Sequence, residues 1–496
     1  MTAADRPSPG AVRVRARGWG WRHAGRRAFA ARRLDLELQP GERVLLLGAS
    51  GAGKSTVLHG LAGLLGSHDE GEQEGELLLD GVHPAAARGR AGLVLQDPET
   101  QVVLARVGDE VAFAAENLAV PREEIWQRVG RALDDVGLDL PLDHPTTALS
   151  GGQKQRLALA SVLAMEPGLL LLDEPTANLD PDGVLEVRDA VVRVLERTGA
   201  TLVVVEHRVA VWADVVDRVI VLDADGGVLA DGPPATVLVQ EDTRARLASA
   251  GVWVPGLPPA VGGTLPAGPG GGTLLSAEGL GVARTRRGPV AVDGLALQVR
   301  SGGALSITGP NGAGKSTAAL TLGGLLRPRA GHLRAAPALA GPAGSDPFRW
   351  RSAELVRRIG TVFQEPEHQF LTATVADELA FGPRQGGVVD PARIGSVAER
   401  LRLTHLLQAN PFTLSGGEKR RLSVATMLAT APRVLILDEP TFGQDALTWA
   451  ELVTLLRELV DDGVAVLSVT HDAEFIAALG GATLHISGGA GRLVAR

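Results

Sequence analysis

Short apolar runs recur along the chain, each followed by a polar or glycine-rich turn and then by a helical pattern. Residues 44–47, 169–172 and 201–205 are runs of this type. Uninterrupted runs of four or five apolar residues are typical of strands that are buried on both faces of a parallel sheet. A helical pattern follows the first run from Thr56 to Leu65. The alternation of strands with helices predicts an α/β fold.

The second half of the chain repeats the order of the first half. Five landmarks recur 261 to 268 residues later, so that Lys54, Gln96, Ser150, Glu174 and His207 correspond to Lys315, Gln364, Ser415, Glu439 and His471. A nearly constant separation indicates a duplicated domain. Residues 251–272 are rich in proline and glycine, a composition typical of a flexible linker. We therefore predict one domain over residues 1–250, a linker over 251–272 and a second domain over 273–496.

Composition narrows the possible functions. The chain has 496 residues, which is enough for two domains with their own cores. Its 57 acidic and 49 basic residues give a net charge of −8, which argues against nucleic-acid binding. It has no cysteine, so disulfides and thiolate metal sites are excluded. No window approaches the ~18 to 20 apolar residues that a membrane span needs. We expect a cytosolic chain that meets the membrane only through partners.

A phosphate-binding loop is the clearest chemical signal. Residues 48–56 read Gly-Ala-Ser-Gly-Ala-Gly-Lys-Ser-Thr, and residues 309–317 read Gly-Pro-Asn-Gly-Ala-Gly-Lys-Ser-Thr. Glycines let backbone N–H groups turn toward a polyphosphate, the lysine reaches its β- and γ-phosphates, and the serine hydroxyl is a ligand for Mg²⁺. The predicted nucleotide-binding residues are Gly48, Ser50, Gly51, Gly53, Lys54, Ser55, Thr56, Gly309, Asn311, Gly312, Gly314, Lys315, Ser316 and Thr317.

Two carboxylates end the buried run at 169–172, and the same pair recurs in the second half. Asp173 and Asp438 are predicted to hold Mg²⁺ through its water ligands, together with Ser55 and Ser316. The next residues, Glu174 and Glu439, are predicted to polarise an attacking water. His207 and His471 each follow a β-branched strand, and we interpret them as contacts to the γ-phosphate.

A second anion-binding edge is predicted where residues 149–153 and 414–418 each open a helix. A serine hydroxyl and free backbone N–H groups at a helix N-terminus favour an anion. The residues concerned are Ser150, Gly151, Gly152, Gln153, Ser415, Gly416, Gly417 and Glu418.

The ordered set of these motifs resembles the ATP-binding cassette (ABC) ATPases. The set is the phosphate-binding loop, a glutamine after a strand, Leu-Ser-Gly-Gly-Gln, a strand that ends in Asp-Glu, and a strand that ends in histidine. The resemblance covers both halves. It implies two P-loop NTPase (RecA-like) nucleotide-binding domains, each with an antiparallel β subdomain and a helical subdomain. It also implies ATP and Mg²⁺ as cofactors.

Several further roles are implied only by this resemblance. Gln96 and Gln364 would contact Mg²⁺ and water and sense a transport partner. Asp180 and Asp445, in the turns after the acidic pairs, would belong to the nucleotide sites. The two halves would face each other head to tail and complete each ATP site between them, either within one chain or between two chains. An aromatic residue ahead of the loop would stack on adenine, a role assigned to Trp21 in the first half with Trp19 as the alternative. Arg284 occupies the approximate position in the second half.

The stretch after each glutamine resembles one subfamily, the ATPases of energy-coupling-factor transporters. Residues 96–101 read Gln-Asp-Pro-Glu-Thr-Gln, and residues 364–369 read Gln-Glu-Pro-Glu-His-Gln. The resemblance implies an importer of a vitamin or a transition-metal ion, whose partners are a transmembrane coupling subunit and a substrate-binding membrane protein. The chain would lie at the cytoplasmic face of the membrane. The acidic repeats at residues 109–110 and 377–378 would contact the coupling subunit.

Two alternatives remain open from the sequence. One is a soluble tandem-cassette ATPase that acts on the ribosome, although the short Pro/Gly-rich linker argues against it. The other is a fused sugar-importer ATPase. The second half of such proteins usually has a degraded active site, whereas both Glu174 and Glu439 are present here. The sequence does not identify the transported substrate.

Overall fold

The structure is a computed structural model of the chain. It describes residues 10–26, 28–66, 71–177, 179–223, 226–263, 271–285 and 287–494. The chain divides into two compact units, one of Met1–Pro258 with Asp445–Leu447 and the other of Pro259–Gln444 with Thr448–Arg496. Below, the first half denotes residues 1–258 and the second half residues 259–496.

The first half contains nine strands and nine α-helices among its described residues. The strands are β1 (Val14–His23), β2 (Ala31–Leu38), β3 (Arg43–Gly48), β4 (Gly71–Leu79), β5 (Ala91–Val94), β6 (Leu169–Asp173), β7 (Thr201–Val205), β8 (Arg218–Leu222) and β9 (Val228–Gly232). The helices are α1 (Lys54–Leu61), α2 (Pro98–Gln101), α3 (Val107–Asn117), α4 (Arg122–Asp135), α5 (Gly151–Leu163), α6 (Pro181–Thr198), α7 (Val209–Trp212), α8 (Pro234–Val237) and α9 (Glu241–Ser249).

The second half repeats the order of the strands. Its strands are β10 (Thr273–Val282), β11 (Val292–Arg300), β12 (Ala304–Thr308), β13 (Ala330–Ala335), β14 (Ile359–Val362), β15 (Val434–Asp438), β16 (Ala465–Val469), β17 (Ala482–Ser487) and β18 (Ala490–Val494). Its helices are α10 (Lys315–Leu322), α11 (Pro337–Ala340), α12 (Ser352–Val356), α13 (Val375–Gln385), α14 (Pro391–Arg400), α15 (Gly416–Ala429), α16 (Ala446–Asp461) and α17 (Ala473–Leu479). A 3₁₀ turn, Pro366–Gln369, stands where the first half has α2.

Each half is built on a six-stranded sheet and a three-stranded antiparallel sheet. The six-stranded orders are β5-β6-β7-β3-β8-β9 and β14-β15-β16-β12-β17-β18, and only the last pair in each is antiparallel. The three-stranded orders are β2-β1-β4 and β11-β10-β13. The predicted α/β class and antiparallel β subdomain are therefore confirmed in both halves.

Alternate residues of β3 explain why its sequence is apolar throughout. Val44 and Leu46 pack with the antiparallel sheet, whereas Leu45 and Leu47 pack into the core with helices α3 to α5. Successive side chains of a strand point to opposite faces, so a strand covered on both sides needs apolar residues at every position. The helices of the predicted helical subdomain are thus joined to the main sheet by one continuous core.

The predicted linker lies partly outside the described residues, which omit 264–270. Within its described part, Val252 and Val254 are buried in the core of the first half. The boundary at residue 250 stays a prediction.

Candidate nucleotide-binding site

The parallel strands bring the predicted residues to one edge of each sheet. Gln96 follows β5, Asp173 ends β6, His207 follows β7 and the phosphate-binding loop follows β3. Since the carboxyl ends of parallel strands meet at the same edge, side chains that are distant in sequence converge there. The second half repeats this placement.

The glycines of the loop are required by its backbone. Gly53 has φ +86°, and an added Cβ would lie 2.0 Å from the carbonyl oxygen of Ala30. Gly309 has φ +137°, and an added Cβ would lie 2.0 Å from the carbonyl oxygen of Ile486. Both positions combine a left-handed φ with backbone close by, which only glycine accepts. The sharp turn leaves the N-terminus of α1 or α10 directly behind the loop, where it favours an anion.

The two loop lysines are buried and fold back over their own loops. Lys54 Nζ donates to the carbonyl oxygens of Gly48 and Ala49 at 2.8 and 2.9 Å. Lys315 Nζ donates to those of Gly309 and Pro310 at 2.8 and 3.0 Å. Burial lowers the pKa of Lys54 from its ordinary value, although Glu174 and Asp173 oppose that shift. A buried cation beside a ring of loop N–H groups suits the phosphates of a nucleotide.

The acidic pair of the first half is tied directly to the other predicted residues. Gln96 Nε2 donates to Glu174 Oε2 at 2.8 Å, and His207 Nε2 lies 3.1 Å from Glu174 Oε1. The Ser55 hydroxyl hydrogen-bonds to Asp173. Burial, followed by the charge of Glu174, raises the pKa of Asp173 to about 6. Burial would also raise the pKa of Glu174, but His207 and Lys54 outweigh it and the net pKa is lowered.

The acidic pair of the second half has different surroundings. His471 Nε2 lies 3.9 Å from Glu439 Oε1, and the carboxyl of Glu439 hydrogen-bonds to Thr470. Burial, followed by the charge of Asp438, raises the pKa of Glu439 to about 7. The buried Arg420 donates to the carbonyl oxygens of Phe363 and Asp438 at 3.1 and 3.3 Å.

Arg420 marks a difference between the halves that sequence reasoning missed. Gln155 is the counterpart of Arg420 in the first half, because it precedes Glu174 by the same number of residues as Arg420 precedes Glu439. Both side chains are buried. Burial lowers the pKa of Arg420 to about 10, against the opposing charges of Glu439 and Asp438. The exchange of glutamine for arginine in the repeat was the signal that could have revealed it.

The residues present fit Mg²⁺ held mainly by water and phosphate. Asp438 Oδ1 is buried and has no hydrogen-bond partner among the described residues, while Ser316 hydrogen-bonds to the same side chain. A carboxylate oxygen of this kind suits a hydrated cation. Mg²⁺ usually takes one or two carboxylates from the protein and keeps several of its waters.

The second anion-binding edge is formed by helix caps. Ser150 caps α5 and Ser415 caps α15, and each forms a reciprocal capping box with the residue three positions later. Ser150 N donates to Gln153 Oε1 at 2.9 Å, and Ser415 N donates to Glu418 Oε2 at 2.8 Å. Both serines are exposed at the start of a helix of more than twelve residues, as the sequence predicted. Asp180 caps α6 by accepting from Gly183 N at 3.0 Å, and Asp445 is buried.

The proposed adenine contact of Trp21 is not supported by its position. Trp21 is 2% exposed within the core of the antiparallel sheet, so neither face of its indole is available to a base. Its register explains the burial, because Trp21 pairs with Ala31 as Val282 pairs with Val292, and both positions face inward. Trp21 was predicted because it is aromatic, and the residue type alone does not show whether a side chain on a strand faces the core or the nucleotide.

His23 is the residue that the repeat assigns to this position. It precedes Arg284 by the same 261 residues that separate Lys54 from Lys315. His23 is part-exposed, its Nε2 lies 3.2 Å from Thr56 Oγ1, and its Nδ1 accepts from Trp21 Nε1 at 3.3 Å. Because an indole nitrogen only donates, Trp21 fixes the Nε2–H tautomer and the ring orientation of His23. His23 therefore links the buried Trp21 to Thr56 at the end of the loop sequence.

We expect His23→Ala to weaken nucleotide binding and Trp21→Ala to destabilise the first half. Stacking of a base on a ring is worth ~1 to 3 kcal/mol, so His23→Ala should raise the Kd by about five- to 150-fold at one site. Loss of a buried tryptophan costs ~3 to 5 kcal/mol, so Trp21→Ala should lower the Tm. Nucleotide titration and thermal unfolding separate the two effects, with Arg284→Ala as the matched variant. Normal affinity in His23→Ala would exclude the stacking role.

The acidic repeats at 109–110 and 377–378 are only partly available to a partner. Glu110 and Glu378 are each 4% exposed, and both accept hydrogen bonds from the backbone of a preceding loop. Asp377 is exposed but pairs with Arg384 at 3.2 Å and with Thr374. The predicted docking role is therefore wrong for the two glutamates, whose function is to hold the loop.

A further buried carboxylate, Glu206, was not identified from the sequence. Its Oε1 accepts from Thr176 N at 3.0 Å and from the Thr176 hydroxyl, and its Oε2 accepts from His207 N at 2.9 Å. In the second half, Asp472 accepts from the Thr441 hydroxyl at 3.0 Å. An acid beside each histidine thus joins it to the turn after Glu174 or Glu439. In the sequence, an acidic residue directly adjoins each histidine, as Glu206-His207 and His471-Asp472, and this repeated pairing could have revealed the two acids.

Known proteins resemble this chain over most of its length. A family model described as ABC transporter matches residues 31–177 and 292–442. A Bacillus subtilis (strain 168) protein, YkoD, is 37% identical over 89% of this chain and 84% of its own length, and its name provisionally assigns it to HMP/thiamine import as an ATP-binding protein. A Streptomyces coelicolor ABC transporter ATP-binding protein, SCO2324, is 33% identical over 90% of this chain and 87% of its own length.

A solved structure extends the likeness to the fold of both halves. It is a complex of archaeal ribosomal stalk protein aP1 and archaeal ribosome recycling factor aABCE1, with a TM-score of 0.60 and 19% identity over 93% of this chain and 87% of that chain. At this identity the likeness concerns the fold alone.

Proposed function

We propose that this chain, which belongs to the ABC transporter family of ATPases, powers an importer of the energy-coupling-factor type. The observation that carries the proposal is the repeated stretch after Gln96 and Gln364, with its matching side-chain contacts in both halves. The name of the B. subtilis relative, which refers to HMP/thiamine import, supports import of a vitamin. The cargo is proposed as a vitamin or a transition-metal ion.

The activity of the chain is ATP hydrolysis with Mg²⁺ as the cofactor. When bound, Mg²⁺-ATP supplies the phosphoanhydride bond and the cation that neutralises charge on its phosphates. The loop N–H groups and Lys54 bind and orient the phosphates. Glu174, held between Gln96 and His207, is placed to accept a proton from water.

We propose that each ATP site is completed across the two halves, so that Lys54 works with Ser415 and Lys315 with Ser150. Each half carries two anion-binding edges on separate elements, the loop before α1 or α10 and the cap of α5 or α15. The head-to-tail arrangement of ABC ATPases supports this pairing, because it would bring the cap of one half to the loop of the other.

The remaining partners are proposed from the family. ABC ATPases work with transmembrane partners, and the finer proposal is a coupling subunit together with a substrate-binding membrane protein. In the described part of the chain, no helix combines the length and hydrophobicity that crossing a bilayer requires. We propose a location at the cytoplasmic face of the membrane, reached through these partners.

Reconstitution tests the proposed function. The tagged chain would be purified from membranes of its source in mild detergent, and its integral membrane partners would be identified by mass spectrometry. Vesicles that contain the recovered complex should take up a labelled vitamin or metal ion only when ATP is supplied on the side of the membrane where this chain is bound. Recovery with ribosomes, and without integral membrane proteins, would contradict the proposal.

A further inference from the structure

The segment after each functional glutamine returns to the strand from which it came. Gln101 Nε2 donates to the carbonyl oxygen of Leu93 at 3.1 Å, and Gln101 Oε1 accepts from Leu95 N at 2.9 Å. β5 is the edge strand of its sheet, and the side-chain amide of Gln101 forms these two hydrogen bonds with its free edge. We call this pair of hydrogen bonds the rung. Gln96 directly follows Leu95, so the rung fixes the backbone immediately before Gln96.

The second half builds the same rung from the same atoms. Gln369 Oε1 accepts from Phe363 N at 3.0 Å, and its Nε2 donates to the carbonyl oxygen of Thr361 at 3.3 Å. β14 is likewise the edge strand, and Gln364 follows Phe363. The recurrence links the rung to the functional glutamine, because both halves preserve the spacing of five residues between the two glutamines.

Further side-chain contacts hold the segment against neighbouring elements. Glu99 forms an ion pair with Lys154 near the start of α5, and Glu367 forms the matching pair with Lys419 on α15. Beyond the rung, Glu110 Oε2 accepts from the N–H groups of Val103 and Leu104. The backbone on either side of the segment is therefore held by side chains.

We propose that Gln101 and Gln369 are positioning residues, which hold Gln96 and Gln364 in place at the nucleotide site. The inference rests on the proposed role of Gln96 and Gln364 as contacts to Mg²⁺ and water. Gln96 already reaches Glu174 at 2.8 Å, so a small shift of the backbone at Leu95 would break that contact. An edge rung that served stability alone would have no effect on the use of Mg²⁺.

The test is a double-mutant cycle on the full chain. Gln101→Glu with Gln369→Glu keeps the acceptor for Leu95 N and Phe363 N, but it opposes a carboxylate to the carbonyl oxygens of Leu93 and Thr361. We expect a loss of kcat of about five- to tenfold and a higher Mg²⁺ concentration for half-maximal rate, with the KM for Mg²⁺-ATP nearly unchanged. Gln96→Ala with Gln364→Ala should give the same signature.

The combined variant decides the inference. If Gln101 and Gln369 act through Gln96 and Gln364, the quadruple variant should be no worse than Gln96→Ala with Gln364→Ala. Effects that multiply, or rung variants with the parental Mg²⁺ dependence, would overturn it. If Gln96→Ala with Gln364→Ala has no effect, the proposed role of those glutamines fails first and the inference fails with it.

Two further sets of variants serve as a control and as a substitute for variants that do not fold. Gln298→Glu places the same substitution on an exposed position of β11 and should leave the rate and Mg²⁺ dependence unchanged. If the Glu variants do not fold, Gln101→Asn with Gln369→Asn keeps the amide but is too short to span both backbone groups, and it enters the same cycle.

Discussion

The combined replacement of Glu174 and Glu439 by glutamine is expected to stop ATP turnover while ATP stays bound. A positioned general base contributes about 100- to 10,000-fold to the rate, so the double variant should lose activity on that scale. Glutamine has nearly the same size and can still hydrogen-bond to its neighbours, so the binding elements remain. Phosphate release and retention of labelled ATP measure the two properties separately.

The backbone at these two residues supports this expectation. Glu174 and Glu439 each have φ +48°, a conformation that non-glycine residues rarely adopt, and the N–H of each donates to the strand beside it. Strained backbone of this kind clusters at functional sites. Glu166 provides a matched control, since it also has a positive φ, of 54°, but pairs with Arg131 at the surface. Glu166→Gln should retain the parental rate, and a double variant with the parental rate would remove the assigned role.

The sequence predicted what depends on local pattern and missed what depends on register. The loop glycines, the buried strands and the helix caps were recognisable because each needs particular residue types at fixed spacing. Trp21 and His23 are two residues apart on one strand, and the structure pairs Trp21 with Ala31 and buries the tryptophan in the core. The internal repeat contained this information, since Arg284 is aligned with His23 and not with Trp21.

Buried polar side chains were the other class that sequence reasoning misjudged. Glu110 was expected to contact the coupling subunit, but its carboxylate is the acceptor for two backbone N–H groups of a preceding loop. Glu206 has the same character, and the part-buried Gln101 accepts from Leu95 N. A loop that leaves N–H groups inside the protein needs an acceptor, and its identity depends on how the chain folds back, which periodicity does not encode.

The last prediction concerns which lysine shares a site with which serine. If the sites are completed across the halves, Ser150→Arg should damage the site that contains Lys315 and spare the one that contains Lys54. Ser150 is exposed and opens α5, so a long cationic side chain there should obstruct a phosphate without disturbing the core.

Pairing Ser150→Arg with a lysine variant makes this outcome countable. In the Glu174→Gln, Glu439→Gln background, the parental chain should trap two ATP molecules. Ser150→Arg with Lys315→Ala should trap one, because both changes fall in one site, whereas Ser150→Arg with Lys54→Ala should trap none. Thr147→Arg, at an exposed position three residues earlier, is the control for added bulk and charge and should leave both sites intact. The reverse result, with one ATP retained by Ser150→Arg and Lys54→Ala, would place each nucleotide within a single half.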